Sequence, residues 1–584
     1  MTYRDDHPRN YDRWPVVEVP EGAATSGAEV WTTLVAAAGE RDRRRPVLVV
    51  DTYPGVDLDL LRQQVGRVWG DHDVVDVEDE AALPIAEIDQ MVQANLTDDR
   101  VFGVLSHHRL EDFYDHHRLA AVRDRVEHAV RPTLVVGWGA ALVAPERALL
   151  VLADLARWEI QQRLRAGMPN WRCSEPEDDI LRAYKRGFFV EWRVADRHKR
   201  HLFDRLDFIL DTNSAEPHLL DGTGFRAGLS EAASRPFRVV PFFDPGVWGG
   251  QWMKEVVGLD RTVEKFAWCF DCVPEENSLL LERDGVVTQV PAMDLVLTHP
   301  RELLGERTFA RFGAEFPIRF DFLDTMEGGN LSLQVHPLTD YIQRTFGMHY
   351  TQDESYYLLD AGPDAVVYLG IKDGVDPDEM VAALRRAEAG DEPFPAERYV
   401  NTFPARTHDH FLIPAGTVHC SGADSMVLEI SATPFIFTFK MWDWGRLGLD
   451  GRPRPVHLDH AEANIAWERR TDWVGQNLVD RVEQVSSGEG WSEERTGLHE
   501  LEFIETRRHW FTGRVEHDTA GTVNVLNLVE GDSALVESPT GDFAPFEVHY
   551  AETFIVPAAV GRYTIRPLGE GDRWGTIKAY VRGT

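Results

Sequence analysis

Four residues in the second half of the sequence could together bind a metal ion. Gln334 and His336 stand two residues apart in an apolar run, and Glu354 and His419 follow further along the chain. Residues two apart in a β-strand point to the same face, so the amide and the imidazole would project together. Two imidazoles, a carboxylate and an amide oxygen suit zinc and leave room for water or substrate. Each residue alone is more typical of an ordinary polar group in a β-domain, whereas the four together indicate a metal site.

The elements that must position these side chains are short strands. From residue 240 onward, aromatic and β-branched residues alternate with polar ones in short runs, as in an all-β barrel or sandwich. One helix is predicted inside this region, at 377–387, because Pro377 and an acidic first turn are helix-start signals.

A second β-rich segment closes the sequence, at 498–584. Within it, the stretch 552–563 is similar to 411–419, the run and turn that lead to His419. Arg562 stands where the histidine would be. The pattern predicts a second β-domain that has no metal ligand at this position.

Several motifs follow one another in a fixed order from residue 243 to residue 446. They are Phe243-Asp-Pro-Gly-Val-Trp-Gly-Gly250, the run 316–324, Leu331-Ser-Leu-Gln-Val-His-Pro337, the turn 414–419, Leu428-Glu-Ile430 and Phe439-Lys-Met-Trp-Asp-Trp-Gly-Arg446. Together they resemble class I mannose-6-phosphate isomerases. That resemblance implies a double cupin (jelly-roll) fold, one zinc ion, and the conversion of mannose 6-phosphate to fructose 6-phosphate through an enediol(ate).

The resemblance also assigns roles to individual residues. It implies Gln334, His336, Glu354 and His419 as metal ligands, Lys440 and Arg446 as catalytic residues, and Trp248, Ser332, Gln352 and Glu429 as substrate-binding residues. Lys440 stands where the family usually has an arginine.

Two departures from the family pattern concern the phosphate. Asp321 and Gln352 stand where the family usually has lysines, and the loss of two cations should weaken phosphate binding. Arg319 and Arg344 are candidate replacements. Two alternatives therefore stay open: an isomerase or epimerase of an unphosphorylated or other sugar, and a metal-bound sugar-binding or regulatory cupin without turnover.

The N-terminal part has a different pattern, in which buried-type strands alternate with helices. Apolar runs at 45–53, 101–105, 133–137 and 149–154 alternate with helical segments, which predicts an α/β domain with a mostly parallel sheet. The stretch 154–165 resembles uridine-kinase-type proteins. The loop after the first strand lacks the glycines and lysine of a phosphate-binding loop, so no kinase activity is expected.

The predicted domains are 1–236 (α/β, kinase-like without a phosphate loop), 237–497 (metal-binding cupin with a helical insertion) and 498–584 (cupin-like, without metal). Phe188–Arg193 is predicted as a further strand. Cys269 and Cys272 lie in a strand-like run and are interpreted as structural cysteines.

Composition excludes several classes of partner. The 584 residues carry a formal charge of −36, which argues against nucleic acid, because a phosphate backbone requires clustered cations. No apolar run is long enough to cross a membrane and no signal peptide is recognised. Four cysteines in so long a chain indicate a reducing compartment. We expect a cytoplasmic protein that acts on a small sugar or sugar phosphate and forms a homo-oligomer or a monomer.

Overall fold

The computed structural model describes residues 10–174, 179–448, 451, 454–497, 499 and 501–583, and the structural statements below refer to these residues. The chain divides into two compact units. The α/β unit consists of Val16–Ala233 and Glu275–His299. The β unit consists of the chain up to Pro15, Ser234–Pro274 and the chain from Pro300 onward.

The strands are, in chain order, β1 (Val16–Glu18), β2 (Ala24–Ser26), β3 (Val47–Thr52), β4 (Asp73–Asp76), β5 (Thr133–Gly137), β6 (Leu149–Asp154), β7 (Phe208–Asp211), β8 (His218–Asp221), β9 (Phe242–Asp244), β10 (Trp268–Cys272), β11 (Ser278–Arg283), β12 (Val286–Pro291), β13 (Ile318–Asp324), β14 (Leu333–Val335), β15 (Glu354–Ala361), β16 (Val366–Ile371), β17 (Val400–Pro404), β18 (His410–Ile413), β19 (His419–Ser421), β20 (Ser425–Ala432), β21 (Phe439–Trp442), β22 (Glu483–Gly488), β23 (Trp491–Gly497), β24 (Ile504–Phe511), β25 (Val515–Asp518), β26 (Asn524–Glu530), β27 (Ser533–Glu537), β28 (Phe546–His549), β29 (Thr553–Val556), β30 (Arg562–Leu568) and β31 (Trp574–Val581).

The α-helices are α1 (Glu29–Arg41), α2 (Leu58–Trp69), α3 (Val77–Ala81), α4 (Ile85–Leu96), α5 (His116–Glu127), α6 (Arg157–Arg165), α7 (Ile180–Arg186), α8 (Trp192–Arg200), α9 (Gly222–Ser234), α10 (Trp252–Val256), α11 (Ala292–Thr298), α12 (Pro300–Leu304), α13 (Glu306–Phe312), α14 (Thr339–Phe346), α15 (Pro377–Glu388), α16 (Ala396–Tyr399), α17 (Leu458–Glu462) and α18 (Thr471–Asn477).

The α/β unit is built on a seven-stranded sheet with the order β2-β8-β7-β6-β3-β5-β4. The five strands from β7 to β4 run parallel, and β8 pairs antiparallel with β7. Strands β3, β5 and β6 are buried along their whole length. This is why their sequences are continuous apolar runs, as expected for a sheet covered on both faces. Helices α1 and α2 pack their apolar residues on one of these faces.

Residues 275–299 belong to this unit, although the predicted domain ranges assigned them to the metal-binding domain. Strands β11 and β12 form a hairpin, and β1 adds to it in parallel, with Val16 opposite Leu280. The pairing partner of β11 therefore lies more than 250 residues earlier in the chain, a contact that composition along the sequence does not reveal.

The predicted strand at Phe188–Arg193 is wrong. Gly187–Glu191 forms a π-helical turn that leads directly into α8. The aromatic residues Tyr184, Phe188 and Trp192 are spaced by four, and their rings contact one another along a helix. The spacing of four outweighs the strand propensity of the run Phe188-Phe-Val190.

The predicted strand at 101–105 is also wrong. The Asp99 carboxylate accepts hydrogen bonds from the backbone N–H groups of Val101 and Phe102, at 2.6 and 2.7 Å. Val104 N donates to the carbonyl of Asn95 at the end of α4. These local bonds use the backbone groups that a sheet would require, so the segment stays irregular.

The β unit contains two pairs of antiparallel sheets. The first pair has the orders β18-β15-β20-β13-β10-β9 and β17-β16-β19-β14-β21, and α15 lies in the connection between β16 and β17. The second pair has the orders β22-β23-β24-β31-β26-β29 and β25-β30-β27-β28 around an apolar core. Strands β22 and β23 belong to this second pair, so its first residue is about 483 and not 498 as predicted.

None of the helices among the described residues has the length and apolar character needed to cross a membrane.

Candidate metal centre

The four predicted metal ligands lie in or directly after strands of two sheets. Gln334 is the middle residue of β14 and His336 directly follows that strand, while β19 begins at His419, opposite Gln334. Glu354 begins β15, in the six-stranded sheet. The short strands β14 and β19 thus present three side chains toward the first residue of β15.

The side chains of His336, Glu354 and His419 converge on one point. One ligand atom from each lies within 4.8 Å of the others, and all three residues are buried. His336 Nε2 is 3.1 Å from Glu354 Oε2, and His419 Nε2 is 2.7 Å from Glu354 Oε1. The amide of Gln334 lies 3.3 Å from His419 Nε2. This arrangement could hold a metal ion.

The orientation of His419 is set by a residue outside this group. Its Nδ1 lies 2.8 Å from the carbonyl oxygen of Thr417, which can only accept a hydrogen bond. The proton of the neutral ring therefore stays on Nδ1, and the lone pair of Nε2 faces Glu354. Metal-binding histidines are typically held in this way.

The donor set fits a divalent ion. Both ring nitrogens of His336 are buried: Nε2 lies 3.1 Å from Glu354 Oε2 without hydrogen-bond geometry, and Nδ1 makes no hydrogen bond within the described chain. Buried polar atoms usually have a partner, and a cation between the side chains would provide one. Burial alone would raise the pKa of Glu354, but His336 and His419 hold it below its ordinary value. Two imidazoles and an ionised carboxylate are ligands that zinc accepts.

A carboxylate cluster, Asp321 and Glu429 with Arg319, lies on the same face of the six-stranded sheet as Glu354. Asp321 is directly opposite Glu429 across β13 and β20. Arg319 Nη2 is 3.4 Å from Asp321 Oδ1, and its Nη1 is 3.8 Å from Glu429 Oε1. Gln352 Nε2 donates to both Glu429 and Glu354, at 3.2 Å each, and so links the cluster to the metal centre.

The two carboxyl groups of this cluster share a single cation. Burial raises the pKa of Asp321 to about 6, although the charge of Arg319 acts in the opposite direction. Burial, with the charges of Asp321 and Glu354, raises the pKa of Glu429 well above its usual value. The cluster therefore takes up protons at a higher pH than ordinary carboxyl groups do.

A cation cluster, Lys440, Arg446 and Arg454 around Asp443, lies at the edge of the other sheet. Lys440 in β21 is opposite Gln334. Arg446 Nη2 and Arg454 Nε both contact the Asp443 carboxylate, the latter at 2.9 Å. Ser332 Oγ donates to the same carboxylate at 3.1 Å. Burial and the charge of Arg454 lower the pKa of Lys440 to about 7.

Asp443 and Arg454 were not among the predicted site residues. Asp443 lies inside the motif 439–446, three residues from both Lys440 and Arg446. This spacing could have indicated that Asp443 belongs to the site. Arg454 follows a connection whose path the sequence does not indicate.

Two further residues of the sequence analysis are Trp248, predicted to bind substrate, and Arg344, a candidate replacement cation. The Trp248 ring packs edge-on against Trp268, with ring centroids 4.7 Å apart, and its indole N–H is buried without a hydrogen bond in the described chain. Arg344, a candidate replacement cation, is 74% exposed and lies beside Asp340 on α14. Arg319 is buried, but its charge is taken up by the carboxylate cluster.

Known proteins match two different parts of this description. A family model described as a domain of unknown function (DUF8485) matches residues 30–234. That description names no activity, so the resemblance to uridine-kinase-type proteins stays a prediction.

The chain has relatives named as mannose-6-phosphate isomerases. It is 22% identical over 332 residues to the probable mannose-6-phosphate isomerase GmuF of Bacillus subtilis, covering 57% of this chain and 96% of the relative. It is 27% identical over 219 residues to the mannose-6-phosphate isomerase of Streptococcus mutans, covering 37% of this chain and 63% of the relative. The crystal structure of the Bacillus subtilis mannose 6-phosphate isomerase matches 60% of this chain and all of that chain, with 18% identity and a TM-score of 0.48. The two relatives found by sequence confirm the resemblance that the motifs indicated.

Proposed function

We propose that the protein is a metal-dependent aldose–ketose isomerase that interconverts mannose 6-phosphate and fructose 6-phosphate through an enediol(ate). The observation that carries this proposal is the buried convergence of His336, Glu354 and His419, with Gln334 beside them and Lys440 opposite Gln334. The names of the relatives agree with this reaction.

A bound zinc ion would supply Lewis-acid chemistry, which polarises a carbonyl oxygen of the sugar. Gln334, His336, Glu354 and His419 would hold it. The burial of these residues excludes bulk water, which strengthens every electrostatic interaction in the site. Lys440 lies on the rung of Gln334, where the metal ligand of β14 adjoins the cation cluster.

The reaction also moves a proton between C1 and C2 of the sugar. Such a transfer works best with a group whose pKa is near the working pH. Asp321 and Glu429 are opposed across two strands, the pKa of each is raised, and Gln352 connects them to the metal centre. This pair is therefore our candidate for the acid–base group.

Proton NMR of the zinc-loaded protein in D2O tests the proposal, with mannose 6-phosphate, fructose 6-phosphate and the free sugars as separate substrates. We expect interconversion of the phosphorylated pair and deuterium at C1 or C2. A zinc-loaded, folded protein that leaves every sugar unchanged would contradict the isomerase and support a sugar-binding protein without turnover.

The second candidate is an isomerase or epimerase of an unphosphorylated sugar. It is favoured by the carboxylate cluster, because Asp321 places a negative charge where the resembling family usually has a lysine. Turnover of free mannose or fructose alone in the same NMR experiment would select it.

We also propose that the two pairs of sheets are two cupin barrels, the first with the metal and the second without it. In the second pair, β30 begins with Arg562 where the first pair has the histidine that begins β19. The α/β unit would then serve a role other than phosphoryl transfer.

A further inference from the structure

The cation cluster contains more positive charge than its surroundings balance. Lys440, Arg446 and Arg454 are each half-buried, and Asp443 is the one carboxylate among the described residues with which all three interact. With Asp443 as their shared carboxylate, the two guanidinium groups leave one positive charge in a largely buried region, and Lys440 adds a second when it is protonated. Burial of unbalanced charge is costly, so such a region is a candidate site for an anion.

The donors of this cluster are only partly used within the described chain. Arg446 is committed, because its guanidinium binds Asp443 and donates to the carbonyl of Asn330 at 2.6 Å. Arg454 uses Nε for Asp443, whereas its buried Nη1 has no hydrogen bond in the described chain. Arg454 therefore keeps donors for an incoming group, and a guanidinium suits phosphate oxygens in particular.

The carboxylate cluster cannot take that role. Arg319 lies between Asp321 and Glu429, donates to Ser431 Oγ at 3.3 Å and packs over the ring of Phe435. Its charge is exceeded by those of the two carboxylates when both are ionised. An anionic group placed there would be repelled. The two ends of the site therefore differ in the sign of their charge.

We propose that the cation cluster binds the phosphate group of the sugar substrate, with Arg454 and Lys440 as its specificity-determining residues. The proposal rests on the proposed function. Lys440 from β21 and Arg454 from the connection after it would take the place of the two lysines that this sequence lacks. Lys440 is opposite Gln334, and Ser332 joins Asp443 to β14, so the phosphate end adjoins the metal centre.

The test compares phosphate binding with catalysis. Calorimetric titration of the zinc-loaded protein with inorganic phosphate measures the anion site without any turnover. Fructose 6-phosphate and free fructose are then titrated in the same way. We expect fructose 6-phosphate to bind at least tenfold more tightly than fructose, and Arg454→Gln and Lys440→Met each to remove most of that difference.

Matched variants separate a lost contact from a damaged fold. Arg344→Gln removes an exposed cation on α14 and should leave phosphate binding unchanged. Arg454→Lys keeps the charge and should restore part of the affinity that Arg454→Gln loses. In turnover, KM for fructose 6-phosphate should rise more than kcat falls in Arg454→Gln. If that variant loses zinc or unfolds, Lys440→Met provides the same comparison.

The outcomes are distinguishable. Phosphate binding that is absent in the wild-type protein, or unchanged in both Arg454→Gln and Lys440→Met, overturns the proposal. Phosphate binding that depends on these residues, in a protein that exchanges no sugar proton, supports the anion site and contradicts the isomerase.

Discussion

His419 connects three parts of the candidate site through one side chain. Its Nε2 faces Glu354, its Nδ1 is held by the carbonyl of Thr417, and its backbone lies opposite Gln334. Removal of this imidazole leaves two strong ligands where zinc usually has three or four protein ligands.

We therefore expect His419→Ala to lose both metal and activity. The zinc content of the purified variant, measured by atomic absorption, should fall to less than about one-tenth of the wild-type content, and proton exchange into fructose 6-phosphate should fall in parallel. His349→Ala, which changes an exposed histidine, is the control and should retain both. Full activity in His419→Ala without metal would refute the zinc mechanism.

His410, at the start of β18, makes stability depend on pH. Burial lowers its pKa from 6.5 to about 4, while its Nδ1 lies 2.7 Å from the carbonyl of Thr496. Between pH 6.5 and 4 the unfolded chain binds a proton at this residue and the folded chain does not. The contribution of neutral His410 is therefore complete above pH 6.5 and is lost as the pH falls toward 4.

We expect His410→Gln to reduce the acid sensitivity of the fold. At pH 5 the proton uptake of unfolded His410 costs about 2 kcal/mol of unfolding free energy relative to pH 8. Urea denaturation at both pH values should show a smaller decrease for the variant than for the wild type, whatever the variant's stability at pH 8. Equal decreases would contradict the role given to His410.

At the scale of elements, β23 joins the two pairs of sheets within the β unit. Its last residue, Gly497, lies against β18: a Cβ atom there would be 2.5 Å from both His410 Cε1 and Leu412 Cδ2. No side chain fits at this contact without displacing β18 or β23, and overpacking of this kind typically costs 1–3 kcal/mol, i.e. about 2 kcal/mol.

Gly497→Ala should therefore destabilise the protein by about 2 kcal/mol in urea denaturation. Gly513→Ala is the matched control, because a Cβ atom at Gly513 meets no heavy atom within 4 Å. The two variants have the same composition, so a difference between them reports the contact at β18. Similar stabilities would mean that β18 and β23 can separate at little cost.

Elements with strong local signals were predictable, and those decided by distant partners were not. The helix α15 and the strands β5 and β6 match their predictions, because helix-start signals, apolar runs and length sufficed. The predicted strand at Phe188–Arg193 was wrong because an aromatic spacing of four competes with strand propensity. The metal triad could be predicted from motifs, whereas the opposition of Asp321 and Glu429 depends on the register of β13 and β20.

At the scale of the molecule, the chain passes from one unit to the other four times. The segment up to Pro15 belongs to the β unit, where the Tyr11 hydroxyl donates to the buried carboxylate of Asp271. Arg238 Nη1 donates to the carbonyl of Asp12 at 2.7 Å. The β unit thus includes residues that precede the whole α/β unit in sequence.

A fragment of residues 237–584 should therefore be less stable than the full chain. It lacks the Tyr11 hydroxyl, which donates to Asp271, and the partner strand of β11, and it exposes the hairpin 275–299. The loss of a hydrogen-bond donor from a buried acceptor costs about 1–3 kcal/mol. Thermal unfolding of the fragment and the full chain compares them, with full-length Tyr11→Phe as an intermediate case. An unchanged Tm in the fragment would contradict this view.

The pairing of Val16 with Leu280 also has a consequence during synthesis. The ribosome releases β1 long before β11 exists, so the α/β unit cannot be completed when residue 233 emerges. Residues 234–274, which belong to the other unit, are made before β11 and β12 emerge to add to β1. Contacts so distant in sequence form slowly. We expect the nascent chain to expose the edge of β1 until residue 299 has left the exit tunnel, an interval in which a chaperone has a strand to protect.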